Sequence, residues 1–158
     1  CGSRYGAHLM PRFARNQIQR VWSSHAQVAH TGTTSETTLV TISVPPMGPN
    51  DHLQIECMWS MTNNANSKTM RVRFGGTSFV SLAVTTNATY RFAYTIANRN
   101  STSSQIGGAS PAYAGSAAAN ITGTIDTTSA RDLVFAGLLA NSADSIALEG
   151  YRVELIRA

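Results

Sequence analysis

Charge, lysine, cysteine and long apolar runs are all scarce in this chain, and each shortage excludes something. Asp, Glu, Lys and Arg make up 13% of the 158 residues, about half the usual share for a globular domain. Lysine occurs once, as Lys68. Two cysteines, Cys1 and Cys57, are too few for a disulfide framework, and no Cys-x-x-Cys pair is present to suggest a zinc or redox site. No apolar stretch approaches the length that crosses a bilayer, so membrane insertion is not expected. There is no Gly-x-Ser-x-Gly elbow, no glycine loop followed by Lys and Ser/Thr, and no His-Glu-x-x-His. An enzyme is therefore not expected, nor a cofactor or a bound metal. The histidines, His8, His25, His30 and His52, are scattered in or beside loops.

What the chain has is hydroxyl: Ser and Thr number 35, and they alternate with apolar residues. Leu53, Ile55, Cys57, Trp59 and Met61 alternate with Gln54, Glu56, Met58 and Ser60, and Met70, Val72 and Phe74 alternate with Thr69, Arg71 and Arg73. Period two is the mark of a half-buried strand. Between these two runs, Thr62 to Ser67 is rich in short polar side chains that bond their own backbone, which predicts an antiparallel hairpin. Gly75 and Gly76 then let the chain turn again. Trp59, Phe74, Gly75, Gly76 and Lys68 are expected to be structural, with Lys68 at a strand edge, held by Glu56 or by carbonyls of its own turn.

Further strands are expected at Val28 to His30, Thr37 to Val44, Ser78 to Thr85, Tyr90 to Ala97, Ile121 to Ile125, Leu133 to Ala140 and Ile146 to Ile156. Pro45 and Pro46 end the second of these, since proline cannot donate to a ladder. Eight or nine short strands with no core helix predict an all-β fold, an antiparallel jelly-roll-like β-sandwich. Asn98 to Asn120 has no apolar period and is expected to be a long loop, of the kind that is functional or disordered. Asp126, Asp132 and Asp144 lie in turns, where a carboxylate caps the backbone.

The net charge of +4 is not evenly spread. Arg4, Arg12, Arg15 and Arg20 all precede the first acidic residue, Glu36, and from Glu36 onward eight basic and eight acidic side chains balance. Residues 1–26, interrupted by Pro11, are expected to form an extended basic arm or linker ahead of a sandwich domain over 27–158. Such an arm suits an acidic partner surface, but arginines interleaved with Tyr5, Met10, Phe13 and Trp22 are more often found packed against a neighbouring subunit. Four arginines are few for nucleic acid, which is not an expected partner. A chain that opens on Cys1 is expected to be a piece of something longer.

The runs NNANSKTMRVRFGGT (63–77), HTGTTSETTLVTISVP (30–45) and IANRNSTSSQ (96–105) resemble a C-terminal β-domain at the ends of tailed-bacteriophage structural proteins such as tail fibres and tail spikes. The likeness extends over roughly Val28 to Ile156. It implies a virion protein, assembled in the cytoplasm of the bacterial host, with a jelly-roll-like domain that forms a homotrimer among other virion proteins. The expected role is binding a host-surface glycan or protein receptor. Candidate contact residues are Asn63, Asn64 and Asn66 in the turn, Arg71 and Arg73 as a short basic stripe, and Gln105 and Tyr113 in the long loop. Arg4, Arg12, Arg15 and Arg20 are the candidate assembly arm. A capsid decoration or head-fibre protein that cements shell subunits, and a small jelly-roll coat protein, are the alternatives.

Overall fold

Alternating apolar and hydroxyl side chains give each strand one face to bury and one to leave in water, and two sheets back to back satisfy all of them at once. The computed structural model describes residues 17–109 and 116–158. Among the described residues there are eleven strands and no helix. They are β1 Gln17–Ser24, β2 Val28–Thr31, β3 Thr37–Val44, β4 His52–Met61, β5 Lys68–Phe74 and β6 Thr77–Val84, followed by β7 Thr89–Asn98, β8 Gln105–Gly107, β9 Ile121–Gly123, β10 Arg131–Leu139 and β11 Ser145–Arg157.

Seven strands form the larger sheet in the order β1-β11-β4-β7-β8-β9, with β2 also on β11; the smaller sheet is β3-β10-β5-β6. All pairings are antiparallel. Setting aside β1 and the β8–β9 extension, the order 2-11-4-7 faces 3-10-5-6, the double Greek key of a jelly roll. The expected fold class is thus what the chain adopts. Its core is filled from both inner faces: Leu53, Ile55, Trp59, Val153 and Leu155 from the larger sheet meet Met70, Val72, Phe74, Leu133 and Phe135 from the smaller, all buried. Each such side chain contributes about 1.5–3 kcal/mol of apolar burial.

Three expectations need correction, and a bulge interrupts the alternation of β11. The stretch from Trp59 to Phe74 is no hairpin, because β4 and β5 belong to different sheets. Thr62 to Ser67 is a crossover, and its backbone bonds reach β11 and the chain after β10: Thr62 N–H to the Ser145 carbonyl at 3.0 Å and Ala140 N–H to the Ser67 carbonyl at 2.9 Å. Nor do residues 17–24 belong to an arm. They pair with Tyr151 to Arg157 of β11, so the sheet begins at Gln17 and not at 27. A register shift between Ile18 and Arg20 breaks their alternation, which is why no period shows in QIQRVWSS. Within the expected 98–120 loop, Gln105–Gly107 is a strand, hidden because its inward residue is the polar Gln105. Finally, an irregularity between Leu148 and Gly150 makes Glu149 an extra residue. A phase change along β11 therefore sets Glu149 beside the outward Ser60, on the same face as Glu154.

Candidate functional site

The loops are spoken for by polar networks at both ends of the sandwich. At one end the β2–β3, β4–β5, β6–β7 and β10–β11 crossovers meet around Lys68, which is fully buried. Its Nζ donates to the carbonyls of Asn66 at 2.7 Å, Thr85 at 3.1 Å and Asn64 at 3.2 Å, and to Asn64 Oδ1 at 2.6 Å. Asn64 Nδ2 and Asn66 Nδ2 in turn donate to the two oxygens of buried Asp144, at 2.6 and 2.9 Å. The lone lysine is an internal cation whose charge is balanced through an asparagine bridge, not an edge residue. Glu56 pairs instead with Arg91. Asp144 is more than a turn cap, since it ties β10–β11 to β4–β5.

At the other end, Asn98 Nδ2 donates to the Gly48 carbonyl at 2.9 Å and to Thr127 Oγ1 at 2.8 Å. Gln105 is fully buried, donating to Asn98 Oδ1 at 2.9 Å and clamping the Ile125 backbone through both ends of its amide. Asp51 accepts from the Arg157 guanidinium, and from the Ala158 N–H at 3.1 Å.

Three of the seven candidate contact residues are therefore occupied inside the fold. Asn64, Asn66 and Gln105 are structural, and Asn63 alone of the turn asparagines is exposed. Arg71 and Arg73 do stand on the outer face of β5, but both guanidiniums converge on Glu36, Arg73 at 2.8 Å, so the stripe is a clamp in which one carboxylate offsets one of the two positive charges. Arg20 lies over the Trp22 ring at 5.1 Å. Tyr113, Arg4, Arg12 and Arg15 lie outside the described residues. Trp59 and Phe74 are core, and Gly75 and Gly76 have φ of +53° and +85°, the left-handed region that glycine enters without penalty.

An accessible concavity lies elsewhere, on the outer face of the larger sheet. β1 and β2 both pair with β11 but break around its bulge. There a Cβ on Gly150 would stand 2.6 Å from His25 Nδ1 and 3.1 Å from the Ser24 carbonyl, so only glycine lets the 24–27 segment lie so close. Gly150 is also the cross-strand partner of Met58. With no side chain beside it, Met58 is left 45% exposed. The result is a depression of about 370 Å³ with Met58 and Glu56 of β4 on its floor, Arg91 of β7 on one side, and Arg152, Ser23 and His25 around the other. Arg91 reaches Glu56 at 3.5 Å, with 73% of its side chain exposed. Arg152 donates to Glu154 through Nε, at 2.7 Å, and through Nη2. No sequence pattern announced this site, because it depends on a bulge 92 residues after Met58.

Titration of the nearby groups follows from their surroundings. Burial pushes the Cys57 thiol up to about 12, against a smaller opposing effect of the Trp59 indole N–H that donates to it. Burial likewise raises the Tyr94 phenol to about 12. Hydrogen bonds from Ser60 and then Gln27 hold Glu149 below the ordinary carboxylate value. Those from the Thr128 hydroxyl and backbone do the same for Asp126. Among the described residues no three His, Cys, Asp or Glu side chains gather as a metal site.

Fold and topology together define an all-β jelly roll. No protein-family model matches the chain, and no curated protein matches it. Solved structures overlay on it at 8–11% identity. Dimeric latent PorU from Porphyromonas gingivalis gives a TM-score of 0.42 at 8% identity, over 92% of this chain and 14% of that one. The EclA C-terminal domain, a sugar-binding protein, gives 0.37 at 9% over 98% and 88%. The infectious bursal disease virus Gx strain structure gives 0.37 at 11% over 98% and 42%. The chain thus spans less than half the length of two of these three.

Proposed function

We propose that the chain is a structural module of a bacteriophage virion, the C-terminal head of a tail fibre or tail spike. It assembles as a homotrimer and binds the host surface through the depression beside Gly150. The resemblance of the 30–45, 63–77 and 96–105 runs supports the virion assignment. The residues that carry that resemblance, including Asn64, Lys68 and Gln105, hold the fold, so recognition falls to other positions. One observation carries the binding reading: a glycine-built concavity exposes a thioether among guanidiniums and a carboxylate on a rigid sheet face. Exposed apolar groups beside a few polar ones are the composition of a ligand site. Trimerisation would turn weak single sites into high avidity without any catalytic group. The outward Ile18 and Val21 on β1, 55% and 44% exposed, offer a packing surface for neighbouring copies.

The test is light scattering on the full chain, followed by binding of the labelled protein to a panel of bacterial cells. The expected outcome is three times the 16.8 kDa chain mass and saturable binding to some strains that Met58→Glu abolishes. A monomer that binds no strain would overturn the proposal.

A further inference from the structure

Resting on the reading that this depression is the recognition site, we infer that its ligand is an uncharged saccharide. Its ring would lie on Met58, and its neighbouring hydroxyls would bridge the Arg91–Glu56 pair and Arg152.

The inference starts from charge. Two guanidiniums and a histidine at one place invite the idea of an anion, yet each guanidinium already has its own carboxylate: Glu56 for Arg91 and Glu154 for Arg152. An incoming carboxylate or phosphate would compete with those pairs and face the repulsion of both glutamates. A hydroxyl faces no such penalty, because it donates and accepts at once. It can accept from an arginine N–H while donating to the glutamate beside it, so a vicinal diol uses both halves of the Arg91–Glu56 pair without separating them. Arg152 commits Nε and Nη2 to Glu154, which leaves Nη1 as a further donor.

Shape points the same way. A volume of about 370 Å³ is near the lower end for small-molecule sites, room for a sugar ring or two and not for a peptide segment. Saccharides present a C–H face as well as an edge of hydroxyls, and Met58, 45% exposed, supplies an apolar seat that adapts to its occupant. The floor is rigid: Cys57 and Trp59 on either side of Met58 are buried, and its cross-strand partners are Gly150 and Arg91. The wall is held too, because Gln27 donates to Glu149 at 2.7 Å and fixes the segment that carries His25.

The test is saturation-transfer NMR on the full chain with lactose, chitotriose, methyl mannoside and 3′-sialyllactose, each at low and high salt, beside the whole-cell binding assay. At least one uncharged sugar is expected to bind, with little change in high salt. Met58→Ala and Arg91→Gln are each expected to weaken it about tenfold, the loss of one charge-assisted hydrogen bond or its apolar equivalent. Both residues are substantially exposed, so an unchanged melting temperature shows that the fold is intact. Binding of sialyllactose alone, falling steeply with salt, overturns the uncharged-ligand inference and leaves surface recognition standing. Cell binding with no response from any sugar also overturns it, in favour of a protein receptor. Failure to bind cells at all overturns the reading beneath it.

Discussion

Replacing Lys68 by methionine keeps most of the methylene stem and deletes the ammonium, so the change isolates one charge at the junction of four crossovers. Three backbone carbonyls, of Asn64, Asn66 and Thr85, lose a donor, while Asn64 Oδ1 keeps the Asn66 N–H at 3.0 Å. Asp144, 3% exposed, is left as a buried carboxylate whose balancing cation has gone. Removing one partner of a buried charge arrangement costs about 3–5 kcal/mol. For a chain of this length that corresponds to a fall in melting temperature of about 6–20 °C. Thermal unfolding followed by circular dichroism measures it. The double variant Lys68→Met with Asp144→Asn should lose less than the sum of the single changes, because the second removes the charge that the first strands. A melting temperature within about 2 °C of the parent would refute the account of Lys68 as an internal cation. Lys68→Ala is likewise expected to lower stability more than it lowers any binding. An unchanged melting curve with lost binding would contradict that.

Other consequences can be measured directly. Gly75→Ala meets both a left-handed φ of +53° and Ile125 Cγ2 at 2.5 Å, and should cost about 2–5 kcal/mol. Gly76→Ala has open space and only the backbone penalty, about 1–2 kcal/mol; equal urea midpoints for the two would refute the packing argument. With its thiol buried and pushed up to about 12, Cys57 should resist Ellman's reagent until the protein unfolds. Native protein should then show at most one of the two cysteines in the chain, and a native count of two would disprove the burial. Folding lowers the pKa of Glu149, so its contribution is complete above the ordinary value of 4.5 and is lost as pH falls through the lower folded value. Urea titrations across that window should show a slope that Glu149→Gln reduces, and an unchanged slope would count against the Ser60 and Gln27 bonds.

Strands such as β3, β4 and β5 were legible because alternation is enforced wherever one face is buried, and the sandwich class followed from their number and length. Sheet membership was not. The Thr62 to Ser67 turn has the same local chemistry whether it joins neighbours or crosses between sheets, and the choice is made by Asp144 and Ser145, some 80 residues later. Single polar residues carried a similar ambiguity: Gln105 looks like loop and is a buried clamp, and Arg71 and Arg73 look free until Glu36 reaches them. The depression at Gly150 was the least visible feature. Glycine before tyrosine says nothing until the bulge opposite Met58 and the path of 24–27 are known.

The place of β11 bears on how the chain comes to be folded as it is made. It lies between β4 on one side and β1 and β2 on the other, yet it is the last of the described strands to leave the ribosome. Until it does, β1 and β2 have no ladder in the larger sheet, and β4 has only β7. Two of that sheet's seven strands must wait unpaired and β4 has one open edge, with Leu53, Ile55 and Trp59 still lacking their neighbours Leu155, Val153 and Leu148. Closure is then a single late event driven by contacts far apart in sequence, of the kind that folds slowly. A ribosome stalled before Ser145 would present an unfinished, sticky half-sandwich, and the finished sandwich forms only after β11 has been made.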